Sequence, residues 1–166
     1  MQYSLTLNHV SIELGKPITS PMLVPVINEP SLSRCINKPF MVGGKSYGVT
    51  AMSFGNPHGA VFVDDVESVD VASLGKSLGT HRLFPKGASI VFVQKVGKAV
   101  FKARLWQYGV GEKAFTAESA CVAGIAAMMT QNALTDKANV IMGGGSFLVV
   151  WDRGSDNVYI THAEEL

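Results

Sequence analysis

At 166 residues, 47% hydrophobic and 16% charged, the chain suits one domain with a sizeable core and not a disordered segment. A net charge of +1 with no lysine–arginine block leaves no electrostatic footprint for nucleic acid. The longest apolar run, CVAGIAAMM at 121–129, falls far short of the roughly 20 residues that span a bilayer, and MQYSLTLNHVSIEL lacks the basic head and apolar run of a signal peptide.

In chain order, SLTLNHVSIEL (4–14) partly alternates apolar and polar residues, as a half-buried strand does. Residues 15–34 hold four of the seven prolines, which predicts a long extended connection and no helix. Strands are predicted at 38–42, 45–54 and 59–63, the first two joined through Gly43-Gly44 as a hairpin turn. Asp70 is placed to cap a helix over 71–81. ASIVFVQKV (88–96) and AVFKARLWQY (99–108) read as a hairpin about Gly97-Lys98. AESACVAGIAAMMTQNAL (117–134) is small and apolar nearly all round, which predicts a helix buried on most faces. ANVIM, SFLVVWD and NVYITH close the chain as strands, separated by turns at Gly143–Gly145 and Gly154–Asn157. Many strands about one alanine-rich helix predict an α+β domain, a mixed or antiparallel barrel-like sheet wrapped around a central apolar helix.

Two stretches carry chemistry. Asn56-Pro57-His58 lies between two predicted strands. It reads either as a plain Asn-Pro turn or as a loop bringing an amide and a proton-shuttling imidazole to a site. GVGEKAFTAESAC (109–121) leads a glycine-rich strand end into the buried helix, whose free N–H groups form an anion site. Thr116 there serves as hydrogen-bond donor or helix cap. Glu118 reads either as a favourable charge on the helix dipole or as a carboxylate base. Cys121 fits a small core residue. With Cys35 it makes no disulfide framework, so both read as free thiols of a reducing, cytoplasmic setting. His9, His81 and His162 stand isolated, Trp106 and Trp151 fit core positions, and no spacing matches a metal site.

Taken together, the ordered stretches SIELGKP (11–17), VTAMSFGNPHGAVFVDDV (49–66), LGKSLGTHRLFPKGASIVFVQ (74–94), RLWQYGVGEKAFTAESACVAGIAA (104–127), GGGSFLVVW (143–151) and VYITHAEE (158–165) resemble the C-terminal domain of the diaminopimelate epimerase superfamily. The resemblance implies a mixed β-structure wrapped about a central helix. It also implies cofactor-free chemistry, in which two such domains each present a cysteine across a cleft. One thiolate removes an α-proton and the opposite thiol returns one to the other face. The resemblance implies a single domain over 1–166, with the matched stretches running in order from 11 to 165, so the family's N-terminal domain is expected to be absent.

The retained half departs from the family. Thr116 stands at the catalytic cysteine, and Ala117-Glu118-Ser119 replaces a glycine-serine-glycine run that binds substrate through its N–H groups. Gln107-Tyr108 replaces a glutamate–arginine pair, and Ser89 replaces a substrate-binding asparagine, whereas Asn56 and His58 match. Loss of the arginine removes a bidentate carboxylate clamp, which argues against diaminopimelate as substrate. Thr116, His58 and Glu118 are therefore the candidate catalytic residues. Asn56, Ser89, Gln107, Tyr108, Ala117 and Ser119 are the candidate substrate contacts. No metal or cofactor is expected. The leading expectation is a repurposed isomerase or cyclase acting on a small organic molecule, in a setting such as specialised-metabolite biosynthesis. The alternatives are an amino-acid epimerase or racemase half that needs a partner domain, and a non-catalytic binding or structural protein. A homodimer rebuilding a two-domain cleft is the expected assembly.

Overall fold

The computed structural model describes residues 2–6 and 9–162. Among these, eleven strands form one sheet, with an α-helix on each face. In chain order they are β1 (Gln2–Thr6), β2 (His9–Gly15), β3 (Lys38–Val42), β4 (Lys45–Ser53), β5 (Pro57–Phe62), α1 (Val71–Gly79), β6 (Ser89–Gly97), β7 (Val100–Gln107), β8 (Gly111–Lys113), α2 (Ala117–Met129), β9 (Lys137–Met142), β10 (Gly145–Asp152) and β11 (Asn157–His162).

The strands lie side by side as β1-β2-β11-β10-β9-β7-β6-β5-β4-β3, with β8 paired to β7 off this path. The sheet wraps α2, which touches β4, β5, β6, β7, β9, β10 and β11. It does not close into a barrel, because β1 and β3 remain its two edges. Two pairs are parallel, β5–β6 and β7–β9. Parallel neighbours need a crossover, and α1 and α2 supply one each. Both crossovers step the same way across the sheet, from β5 to β6 and from β7 to β9. β6 and β7 are antiparallel, so the two crossovers start from strands of opposite direction. Right-handed connections then place the helices on opposite faces, as found.

The strand sequences follow from this layering. β6 alternates Ile90 and Phe92 toward the α1 side with Val91 and Val93 toward the α2 side. It is covered on both faces and so reads as a nearly continuous apolar run. Every residue of α2 from Ser119 to Met128 is buried. Its small side chains let strands come close: a Cβ added at Gly124 would stand 2.9 Å from the Val149 side chain.

The sequence reading holds in outline and is corrected in detail. The single strand expected over 4–14 is two antiparallel strands, β1 and β2, with Thr6 opposite His9. The central helix ends at Met129 and not at residue 134, because Thr130 caps it and Gln131 enters the left-handed region at φ 63°. α1 ends at Gly79, two residues early, where the Thr80 N–H closes onto Lys76 O. β8 and a short 3-10 turn at Val66–Ser68 were not anticipated. The proline-rich 15–34 segment carries no helix; a turn at 21–25 and a single bridge from Ile18 to Ser53 tie it down.

Candidate active site

The site grows from the N-terminus of α2. Thr116 is the N-cap, with extended backbone, and Ser119 is its partner. Ser119 N–H donates to Thr116 Oγ1 at 3.0 Å, and Thr116 N–H donates to Ser119 Oγ at 3.2 Å. The two hydroxyls also meet at 2.8 Å. Ala120 N–H goes to Thr116 O. The first-turn N–H groups of Ala117 and Glu118 thus have no partner among the described residues.

Around this helix end the sheet brings distant residues together. Parallel pairing sets His58 of β5 opposite Ser89 of β6, and antiparallel pairing sets Ile90 opposite Trp106 of β7, next to Gln107. Asn56, His58, Ser89, Leu105, Gln107, Thr116 and Glu118 line one recess of about 30 Å³. A water needs roughly 10–15 Å³ of such space, so the recess has room for a water or two and not for an amino acid. A second cavity of about 300 Å³ adjoins it and shares Asn56, Ser89 and Gln107, adding Pro57, Lys86, Gly87, Ala88 and Tyr108. That volume is at the small end of ligand sites. Thr116 and Tyr108 therefore line neighbouring cavities and not a common one.

His58 is buried. Its Nδ1 lies 2.8 Å from Asn56 O. A carbonyl only accepts, so Nδ1 carries the proton and Nε2 holds the basic lone pair. Burial holds the imidazole below its ordinary pKa, against smaller opposing pulls from the Asn56 carbonyl and the Glu118 charge. At neutral pH the ring is an uncharged base beside a carboxylate that favours its protonated form.

The other candidates sort by geometry. Ser89 is buried and its Oγ accepts the Tyr108 N–H at 3.0 Å, so it anchors the end of β7. Ser119 is fully buried with its hydroxyl spent on the cap, which removes it as a substrate contact. Ala117 packs against the α2-side core and lines neither cavity. Tyr108 is half-exposed and packs edge-on against Trp106, at 6.2 Å between centroids. Lys86 and Leu105 were not foreseen. Lys86 follows Pro85 in an ordinary-looking turn, and Leu105 reads only as a strand residue.

Both cysteines are buried in the described structure, Cys35 on the α1 side and Cys121 inside α2. Burial pushes both thiols up, Cys121 far above the usual range. Among the described residues no group of three His, Cys, Asp or Glu side chains is placed to hold a metal. No helix among them is long and apolar enough to cross a membrane. Of the exposed apolar side chains in the N-terminal half, Met22, Leu23, Ile27 and Leu32 lie on the proline-rich segment and Met41 lies on the edge strand β3.

The comparisons with known proteins agree with this architecture. The sequence model of the diaminopimelate epimerase family matches residues 50–164. A relative from Desulforapulum autotrophicum, named diaminopimelate epimerase, is 33% identical over 153 residues, covering 92% of this chain and 53% of the relative. One of the same name from Geobacillus sp. is 33% identical over 159 residues, covering 95% of this chain and 55% of the relative. This chain belongs to the diaminopimelate epimerase family. It spans about half the length of the curated relatives it matches. Among solved structures, a probable proline racemase from Agrobacterium radiobacter superposes at TM-score 0.60 with 12% identity, over 93% of this chain and 50% of that one. A hydroxyproline epimerase from Agrobacterium vitis gives 0.59 with 11% identity, over 93% and 49%. At such identities these two show the shared epimerase-like fold alone.

Proposed function

We propose that this chain is one half of an amino-acid epimerase or racemase site, working against a second domain carried on the same or another polypeptide. The observation behind this reading is the convergence of His58, Glu118, Asn56 and the α2 N-terminus on a recess of about 30 Å³, too small to enclose a substrate by itself. Relatives named diaminopimelate epimerase, of which the chain spans about half, support it.

In this reading the free N–H groups of Ala117 and Glu118, at the positive end of α2, hold the substrate carboxylate. Thr116 contributes the cap and no base, since its hydroxyl is bound to Ser119. The second domain supplies the base that breaks the α-C–H bond. The electron pair stays on the α-carbon and spreads into the adjoining carboxyl. On this side His58, neutral at rest, takes a proton from solvent at Nε2, with Glu118 stabilising that charged form, and returns it to the α-carbon from this face.

The test is to incubate the protein in D₂O with a panel of D- and L-amino acids, alone and with a second domain of the family, and follow the α-proton signal by NMR. Loss of that signal only in the presence of the second domain is the expected result. No exchange with any amino acid overturns the reading. The 300 Å³ groove, lined by Lys86 and neutral groups, favours a second reading as an isomerase or cyclase of another small molecule. Turnover of such a compound by this chain alone would establish it.

A further inference from the structure

The groove beside the recess is lined by one charged side chain, Lys86. Lys86 lies in the turn before β6, exposed, and is in no ion pair among the described residues. The other polar side chains of the groove are neutral: Asn56, Ser89, Gln107 and Tyr108. Glu118 lines only the recess. Ser89 Oγ is occupied by the Tyr108 N–H. Neither the Asn56 side-chain amide nor the Tyr108 phenol is hydrogen-bonded to another described residue. The groove thus presents an unpaired ammonium with two free neutral donors beside it.

Such a set suits an anionic group, which finds a countercharge and donors together. A neutral amide there leaves the ammonium without a countercharge, and a second ammonium is repelled by it. The groove and the recess share a wall of Asn56, Ser89 and Gln107. On the recess side of that wall stands the N-terminus of α2, with the unpartnered N–H groups of Ala117 and Glu118. Two separate places that favour an anion therefore flank one wall. The helix end takes the α-carboxylate of the substrate in the reading above, and the groove takes whatever the side chain of that substrate carries.

We propose that the half-site takes an amino acid with an acidic side chain. Its α-carboxylate lies at the N-terminus of α2. Its side-chain carboxylate lies in the groove on Lys86, with the Asn56 amide and the Tyr108 phenol donating to it. This names the substrate class of the half-epimerase reading and rests on that reading. Lys86 is the specificity-determining residue, because no other charged side chain lines the groove.

Three probes of equal chain length that differ at one end separate the possibilities: glutarate, glutaramate and 5-aminopentanoate. Each is titrated at low ionic strength into ¹⁵N-labelled protein. The amides of Gly87, Ala88 and Tyr108 report the groove by NMR, and those of Ala117 and Glu118 report the helix end. Glutarate is expected to shift both sets saturably and to bind about fivefold tighter than glutaramate, the upper range for an exposed charge pair. 5-Aminopentanoate is expected to bind weakest, and added salt to narrow the glutarate margin. Lys86→Met, at an exposed position, is expected to remove that margin and leave the helix-end shifts in place. Lys86→Glu is expected to put 5-aminopentanoate first. The amide spectrum itself reports whether each variant folds. Equal affinities, a preference for another probe, a margin unchanged by Lys86→Met, glutarate shifts confined to one end, or no binding of any probe overturns the proposal. None of the probes has an α-amino group, so this readout is independent of hydrogen exchange. Exchange of acidic and neutral amino acids alike defeats this inference alone, and a glutarate preference with no exchange of any amino acid defeats the half-epimerase reading alone.

Discussion

Thr116 and Ser119 bind each other reciprocally across the first turn of α2, each backbone N–H donating to the other's hydroxyl, at 3.2 and 3.0 Å. This capping box closes the N-terminus of α2 beside the recess that Thr116 and Glu118 line. Removing it with Thr116→Ala is expected to lower stability by about 1 kcal/mol, read as a shift in the urea midpoint. Thr116→Ser is expected to retain most of the stability. A neutral Thr116→Ala would place the cap's stabilisation elsewhere in the turn.

His58 gives a pH signature. Its folded pKa lies below the ordinary value of 6.5, chiefly through burial. Between those two values the unfolded chain holds more protons at this residue than the folded chain. Stability therefore rises with pH through that window and levels off above it. Protonation of a buried ring is what destabilises the fold on the acid side. Urea midpoints across pH 5 to 8 should show this slope, and His58→Gln should flatten it.

Trp106 is seated on two helical glycines of α1. A Cβ at Gly79 would lie 2.4 Å from the indole and 2.5 Å from the backbone oxygen of Ala88. Alanine gains about 1 kcal/mol in helix propensity, but overpacking against backbone costs about 1–3 kcal/mol. Gly79→Ala is expected to be destabilising on balance, by thermal melt. A stabilised variant would mean that Trp106 gives way readily.

Gly87→Ala tests the groove and not the core. The substitution meets both a positive φ and the Tyr108 ring. It is expected to displace the Tyr108 ring, read as a shift of the Tyr108 signals by NMR, and to lower the melting temperature; unchanged Tyr108 signals would mean that the ring does not rest on Gly87.

The thiols offer a packing test. Cys35 and Cys121 are buried, with their pKa values raised by burial. Neither should react with a thiol reagent at neutral pH until denaturant opens the fold. Fast labelling of Cys121 in the native protein would contradict the burial of α2.

Most of the fold was legible because its signals are local. The Gly43-Gly44 turn, the Asp70 cap, which accepts Ser73 N–H, and the apolar run of β6 each announce their structure. The errors have physical causes. Alternation runs through both β1 and β2, so periodicity does not mark the reversal between them. Residues 130–134 carry no glycine or proline to announce the end of α2, which depends on Thr130 and Gln131 geometry. β8 is three residues held by β7 alone. At the site, the motifs single out Asn56, His58, Thr116 and Glu118, which the structure brings to one recess. Lys86 and Leu105 join them only through the register of β5, β6 and β7. Ser119 was mistaken for a contact although its spacing from Thr116 is that of a cap.

The sheathing of α2 by seven strands of its own sheet has a consequence for motion. Its amide hydrogens from the second turn onward should be among the slowest in the molecule to exchange with solvent, opening only with global unfolding. The N–H groups of Ala117 and Glu118, outside that protection, should exchange quickly. A ligand arriving at this end meets a fixed anvil. Whatever adjustment binding needs must come from the opposing loops, at Gly55-Asn56 and Tyr108-Gly109.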